Sequence, residues 1–214
     1  PSLPCQEKVR VGIMRCMIIG IDFDGVMNTN NSSAMLILEN DIAQRLGYRV
    51  RNPKALTSQD RYGFTDADHD TYQNLRYNHI NSERFFADMQ MMSGADSAIK
   101  MLNSKGHQMY LVTARGRDSK GNFDANARRY VHQTLARWGM LDHGLIIDSN
   151  HSFADPAIKH LDKAAQCRNL GITVLVDDDE RNVQKVRSAD FSAIHFGVEA
   201  QDWQAVIAQL LRFA

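Results

Sequence analysis

The sequence predicts an α/β protein built on a parallel sheet. Two observations carry this. Short, continuously apolar segments alternate with amphipathic helical segments through the second half of the chain, and the apolar segments at Met17–Ile21 and Ile172–Val176 each stop at an aspartate. Such alternation builds right-handed βαβ units. Strands without polar alternation belong to sheets covered by helices on both faces. The 214 residues are 43% hydrophobic and 23% charged, the composition of a packed globule long enough for one domain with an insertion.

Taken in order, Met17–Phe23 reads as the first buried strand. Ala95, Ala98, Ile99 and Leu102 recur at helical spacing between Ser93-Gly94 and Gly106. His107–Thr113 is the next strand. Ala127, Tyr130, Val131, Leu135 and Trp138 line one helix face, closed by Gly139, and Leu145–Ile147 is a short strand. Ile158, Leu161 and Ala165 mark a helix that ends near Gly171; the strand Ile172–Val176 follows. A helix over 180–188, a strand Phe191–Phe196 and a helix carrying Trp203, Val206, Ile207, Leu210 and Leu211 complete the pattern. Residues 29–92 break the rhythm. They are rich in Asn, Asp, Gln, Arg and Tyr, with helical stretches near 33–46 and 68–90, and Pro53 and Gly63 between them. The expected division is therefore a core of residues 14–28 and 93–214 with a small helical insertion, 29–92. Residues 1–13 read as an N-terminal arm or as added sequence, with no function assigned.

Lysine and arginine number 25, as do aspartate and glutamate, so the net charge is zero. No global positive field draws in nucleic acid. The run Met17–Ile21 is far shorter than the ~20 residues of a membrane span, and no signal-peptide pattern accompanies it. Cys5, Cys16 and Cys167 are an odd set without CxxC spacing, which points to a reducing, cytoplasmic setting rather than a disulfide framework. The spacing of the histidines suggests no metal site.

Four features stand at the C-terminal ends of expected strands, where open α/β sheets bind ligands. Asp22-Phe23-Asp24-Gly25 follows the first strand. Two carboxylates two apart can face one site, and glycine lets the backbone turn with φ > 0. The bland alternative is a polar turn. Thr113 ends the second strand, where a hydroxyl can meet a phosphate oxygen or simply cap a helix. Lys163 lies in a helix ahead of the fourth feature, with Lys159 as its rival and a solvated surface as the ordinary fate of either. Asp177-Asp178-Asp179 abuts the strand Val174–Val176. Adjacent carboxylates repel unless a cation or proton intervenes, and their hard oxygens suit Mg²⁺. An acidic helix start is the competing reading.

In this order, over residues 17–27 and about 93–196, the four motifs resemble those of the haloacid dehalogenase (HAD) superfamily of phosphohydrolases. The run Lys163…Val176-Asp177-Asp178…Asn182 is similar to the nucleotidase-like subset with a paired-aspartate fourth motif. The resemblance implies a Rossmann-like parallel core with residues 29–92 as a cap over the site. It implies Asp22 as nucleophile and Asp24 as general acid and base. Thr113, Lys163, Arg115 and the loop residues Phe23, Gly25 and Ala114 would contact the substrate or its phosphate, with Arg117 beside Arg115 at the rim. Mg²⁺ would be held by the Asp22 carboxylate, the Asp24 backbone carbonyl, Asp177 and Asp178. The reaction implied is hydrolysis of a small phosphomonoester, with nucleotides among the candidate substrates, through an aspartyl-phosphate. Dehalogenating members lack an acid at the position of Asp24, so Asp24 points to phosphate esters. The same residues would serve a phosphotransferase or phosphomutase; a catalytically idle phospholigand-binding module is the non-enzymatic alternative. The partner expected is a small phosphorylated metabolite, with no membrane and no nucleic acid; the oligomeric state is left open. In the insertion, Arg45, Arg49, Arg51, Lys54, Arg61, Arg76 and Arg84 either meet a second anionic group or are solvated. Tyr48, Tyr62, Phe64, Tyr72 and Tyr77 either stack on a base or sugar or pack among the helices.

Overall fold

The computed structural model describes residues 16–30, 32–55, 57–116, 120, 122, 124–153 and 162–213. A five-stranded sheet runs in the order β3-β2-β1-β4-β5, every pair parallel. Strand β1 (Ile18–Ile21) is central; β2 (Gln108–Leu111) and β3 (Leu145–Ile146) lie to one side, β4 (Val174–Asp177) and β5 (Ser192–His195) to the other. Ile19 stands opposite both Met109 and Val174, and Ile21 opposite both Leu111 and Val176. Alternation along a strand sends these side chains to one face. All are buried there beneath helices α5 (Ala95–Ser104), α6 (Ala125–Arg137) and α9 (Trp203–Phe213). The other face, with Val112, Leu175 and Ala193, packs against α7 (Lys163–Leu170) and α8 (Glu180–Ser188).

The helices form where the sequence combines a periodic apolar stripe with a cap. In α5 the residues Ala95, Ala98, Ile99 and Leu102 have no exposed surface; burying each of the larger ones contributes about 1.5–3 kcal/mol. The Asp124 carboxylate accepts from the amides of Asn126 and Ala127 and starts α6. Asp162 does the same for Ala165, and Gly171 closes α7 in the left-handed region. Ile158 and Leu161, read as part of that helix, lie outside the described residues, as do Lys159 and residues 1–13.

Between the Phe23–Met27 turn and α5 the described residues form four α-helices and no strand of the sheet: α1 (Ser32–Arg45), α2 (Ser58–Tyr62), α3 (Asp66–Ile80) and α4 (Glu83–Ala87). The helix expected over 68–90 is two helices, because the Ser82 hydroxyl accepts from the Phe85 amide and starts a new one. Helix α2 arises in the stretch read as irregular, capped by Thr57. Ile42, Ala43, Tyr62, Phe64 and Tyr72 form a separate small core for α1–α3. Helix α4 packs instead on α6. Phe86 belongs to the main core, and Arg137 donates to the carbonyls of Phe86 and Ala87. The two chain crossings are stitched together: Thr29 N–H donates to the Gln90 carbonyl (3.1 Å) and Met92 N–H to the Met27 carbonyl (2.9 Å). Among the described residues, no helix is long and apolar enough to cross a membrane.

Candidate active site

Strands β1 and β4 are parallel neighbours, so their exit loops leave the sheet at the same edge. Here the strand order also reverses: β2 and β3 were added on one side of β1, β4 and β5 on the other. Loops diverge at such a point and open a crevice. Asp22 follows β1 and Asp177 ends β4, which brings together carboxylates distant in sequence.

Asp22 is nearly buried; its carboxylate accepts from the Phe23 amide at 2.8 Å. Asp177, fully buried, accepts from the Asp179 amide (2.8 Å) and from the Asn182 side-chain amide (3.3 Å). Lys163, the first residue of α7, is 2% exposed and inserts its ammonium between them, 2.9 Å from Asp22 Oδ1 and 2.5 Å from Asp177 Oδ2. Burial alone would depress the Lys163 ammonium, but the carboxylates of Asp177 and Asp22 overcome it and hold the group above the ordinary lysine value. Burial pushes the Asp22 carboxyl up, and Lys163 opposes this. Burial, then repulsion from Asp177, pushes Asp178 up to about 6.

Asp22, Asp177 and Asp178 each offer an oxygen, all within 4.8 Å of one another. Three carboxylates against one ammonium leave an excess of negative charge on hard oxygen donors. That set fits a divalent cation such as Mg²⁺, which would offset the repulsion from Asp177 that adds to burial in raising Asp178.

The loop Phe23–Met27 holds this arrangement. Its Gly25 has φ 71°, and a Cβ there would fall 2.1 Å from Asp178 Oδ2. The Trp203 indole N–H donates to the Val26 carbonyl at 3.0 Å, pinning the loop to α9. Phe23 faces inward, against Phe86 and Trp138. Asp24 turns the other way, toward Arg115, which donates through Nε (2.6 Å) and Nη2 (2.9 Å) to its two oxygens. The Asn28 side-chain amide adds a contact at 3.3 Å. Thr113 is buried, and its hydroxyl accepts from the Arg115 amide at 3.1 Å; Ala114 and Arg115 line the crevice.

A cavity of about 880 Å³ extends from Asp22, Asp24, Lys163 and Asp178 toward the inserted helices. Its far wall includes Glu39, Arg61, Arg76 and Tyr77. Glu39 accepts from Arg61 and Arg76, both at 3.1 Å. Of the aromatic residues offered for stacking, only Tyr77 lines this cavity. Tyr62, Phe64 and Tyr72 fill the small core of α1–α3, and Tyr48 packs against it. Arg45 and Arg84 pair on the surface with Asp41 and Asp88. A second cavity, about 640 Å³, lies in the insertion beside Tyr48, Arg49 and Tyr62, away from the carboxylates.

The structure thus gathers Asp22, Asp24, Gly25, Lys163, Asp177 and Asp178 around one crevice, with Thr113 beneath its rim; Arg117 lies outside the described residues. Sequence reasoning missed Asn28 and Glu39. Nothing in the sequence signals Glu39, whose partners are 22 and 37 positions away. Asn28 and Asn182 lie four and five positions beyond the carboxylates they contact, a proximity that could have been noticed.

Protein-family models give no match to this chain, and curated proteins give none either. Solved structures do resemble it. A HAD-superfamily hydrolase, subfamily IA, from Geobacter sulfurreducens PCA aligns over 91% of this chain and 99% of its own, with TM-score 0.54 and 15% identity. A predicted phosphoglycolate phosphatase from Haemophilus somnus 129PT aligns over 93% and 100%, with TM-score 0.56 and 11% identity. A predicted phosphatase from Clostridium acetobutylicum aligns over 83% of each chain, with TM-score 0.55 and 12% identity. The parallel sheet with its flanking helices is therefore the Rossmann-like α/β fold of the haloacid dehalogenase superfamily.

Proposed function

We propose that the chain is a Mg²⁺-dependent phosphatase that hydrolyses a small phosphomonoester, with residues 29–92 as the cap over its site. The observation that carries this reading is the cluster at the sheet edge. A carboxylate on the β1 exit loop faces a buried lysine and an aspartate pair from β4, and a second carboxylate stands two residues beyond the first.

Asp22 attacks phosphorus in line. As its oxygen bonds to phosphorus, the bond to the leaving oxygen breaks, and Asp24 supplies that oxygen with a proton. Water then attacks the aspartyl-phosphate, Asp24 takes its proton, and Asp22 returns as carboxylate with release of phosphate. Both Asp24 oxygens accept hydrogen bonds in the structure, the arrangement suited to the second half-reaction. Lys163 orients Asp22 and places positive charge beside the transferring group; Thr113, Ala114 and the amides of the loop after β1 form the rest of the phosphate cradle. Asp22, Asp177, Asp178 and the Asp24 carbonyl would hold Mg²⁺, and the chemistry it supplies when bound is neutralisation of charge on the phosphoryl oxygens.

The cavity is of a size for a nucleotide or sugar phosphate. The Tyr77 ring on its wall supports the nucleotidase-like reading, as does the paired-aspartate motif with Asn182. A cytoplasmic location agrees with Cys16 and Cys167, both free; burial pushes the Cys167 thiol up to about 12, which leaves it inert.

The test is turnover of an aryl phosphate, followed by a panel of nucleotides and sugar phosphates. Wild-type protein should require Mg²⁺ and stop in EDTA. Asp22→Asn should lose activity by about 10³-fold or more. Near-full activity in Asp22→Asn would remove Asp22 from the role of nucleophile.

A further inference from the structure

Arg115 is 6% exposed, and all three nitrogens of its guanidinium have partners. Nε and Nη2 take the two oxygens of Asp24, at 2.6 and 2.9 Å. Nη1 donates to the Ile80 carbonyl at 2.5 Å. The guanidinium carbon lies 5.1 and 5.4 Å from the ring centres of Phe85 and Phe86. Ile80 is the last residue of α3, in the insertion, while Asp24 belongs to the core. One cation thus joins the two halves of the molecule at the point where they meet.

Each contact has a physical reason. The final carbonyls of a helix lack intrahelical partners and carry partial negative charge, so a cation there is favourable. A planar fork that pairs with both oxygens of a carboxylate fixes its plane as well as its position. The rings of Phe85 and Phe86 keep water away. The next residue strengthens the seam, since the Asn81 side-chain amide donates to Asp124 at 3.1 Å. Removing the end of α3 would cost the fork one of its three anchors and part of its dry slot.

We propose that Arg115 is a positioning residue that couples the seating of the α3 end on the core to the orientation of Asp24. This rests on the phosphatase reading for its kinetic consequence, though not for its structural one. With the helices seated, the fork holds the Asp24 carboxylate in place over the crevice. With the end of α3 displaced, the fork loosens, Asp24 is held chiefly by the weaker contact from Asn28, and turnover falls. Arg115 therefore acts through Asp24, whereas a phosphate-binding arginine would act on substrate directly.

The experiment has a kinetic arm and a substrate-free arm. On an alkyl phosphate, whose leaving oxygen needs a proton, Arg115→Lys keeps the charge but loses the fork. Its kcat should fall by about 100-fold with KM within about two-fold of wild type. Added to Asp24→Asn, the same change should lower kcat by less than about three-fold more, because the two residues work as one unit. Guanidinium ion should restore part of the activity of Arg115→Ala. A rise in KM that accounts for the loss, or full multiplication of the two effects, overturns the proposal. In the second arm, amide hydrogen exchange over residues 77–87 should be faster in both Arg115 variants than in wild type, without any ligand. Unchanged exchange there also overturns it. If Arg115→Ala does not fold, Arg115→Lys answers both arms. Wild-type protein that turns over no phosphate ester would sink the phosphatase reading alone, and the exchange arm would still decide the coupling.

Discussion

Lys163 and Gly25 show two ways in which single residues shape the site. Lys163 is costly to bury, and its cost is met by the carboxylates on either side. Lys163→Met should leave those carboxylates facing each other without a counter-charge, and melting temperature and phosphatase turnover should both fall. Gly25 is fixed by space and by backbone. At φ 71° any side chain is strained, and a Cβ would strike the Asp178 carboxylate. Gly25→Ala should destabilise the fold by about 1 kcal/mol or more in denaturant titration and lower turnover by more than about tenfold, since it displaces both loop and carboxylate. At this scale the sequence was informative where a function is carried by contiguous residues, as in Asp22-Phe23-Asp24-Gly25. It was silent where a role depends on a distant partner. Nothing near Arg115 in the chain indicates that its fork closes on Asp24, 91 positions away, rather than on substrate.

Elements were legible in proportion to how much of their stability is local. The helix face through Ala95, Ile99 and Leu102 is periodic, and α5 forms where that period predicts. The aspartate before α6 is an equally local signal. Asp124→Ala should cost about 0.5–2 kcal/mol of stability, measured by denaturant unfolding, through the two amides it leaves unpaired. The insertion was harder to read. The stretch 68–90 has helical residues throughout, yet the Ser82 cap divides it, and α4 turns to pack on α6. The choice between continuing a helix and starting another was made by a surface on the core, which sequence periodicity cannot register. Likewise Tyr62, Phe64 and Tyr72 resemble ligand-facing aromatics in the sequence, and only their packing shows that they are the insertion's own core.

For the whole molecule, the parallel pairing follows from alternating apolar strands and helices, whereas the strand order, which places the crevice between the exit loops of β1 and β4, is seen only in the structure. What the pattern could not show is how the segments preceding two neighbouring strands are tied together. His107, buried just before β2, accepts the Met17 amide on Nδ1. Burial, helped by Lys105, holds its imidazole below the ordinary value of 6.5. Below 6.5 the unfolded chain takes up a proton that the folded one resists, so this contribution to stability is complete above that pH and is lost as the pH falls toward the folded value. Melting temperature should therefore drop more between about pH 7 and about pH 5 in the wild type than in His107→Asn, whose amide oxygen can still accept from Met17. The bond from Trp203 to the Val26 carbonyl spans 177 positions. During synthesis the loop that carries Asp22 and Asp24 leaves the ribosome long before the indole that fixes it. A nascent chain stalled ahead of residue 203 would hold every acidic group of the site and still lack a settled loop, so the segment carrying Asp22 and Asp24 is made well before it can be fixed in place.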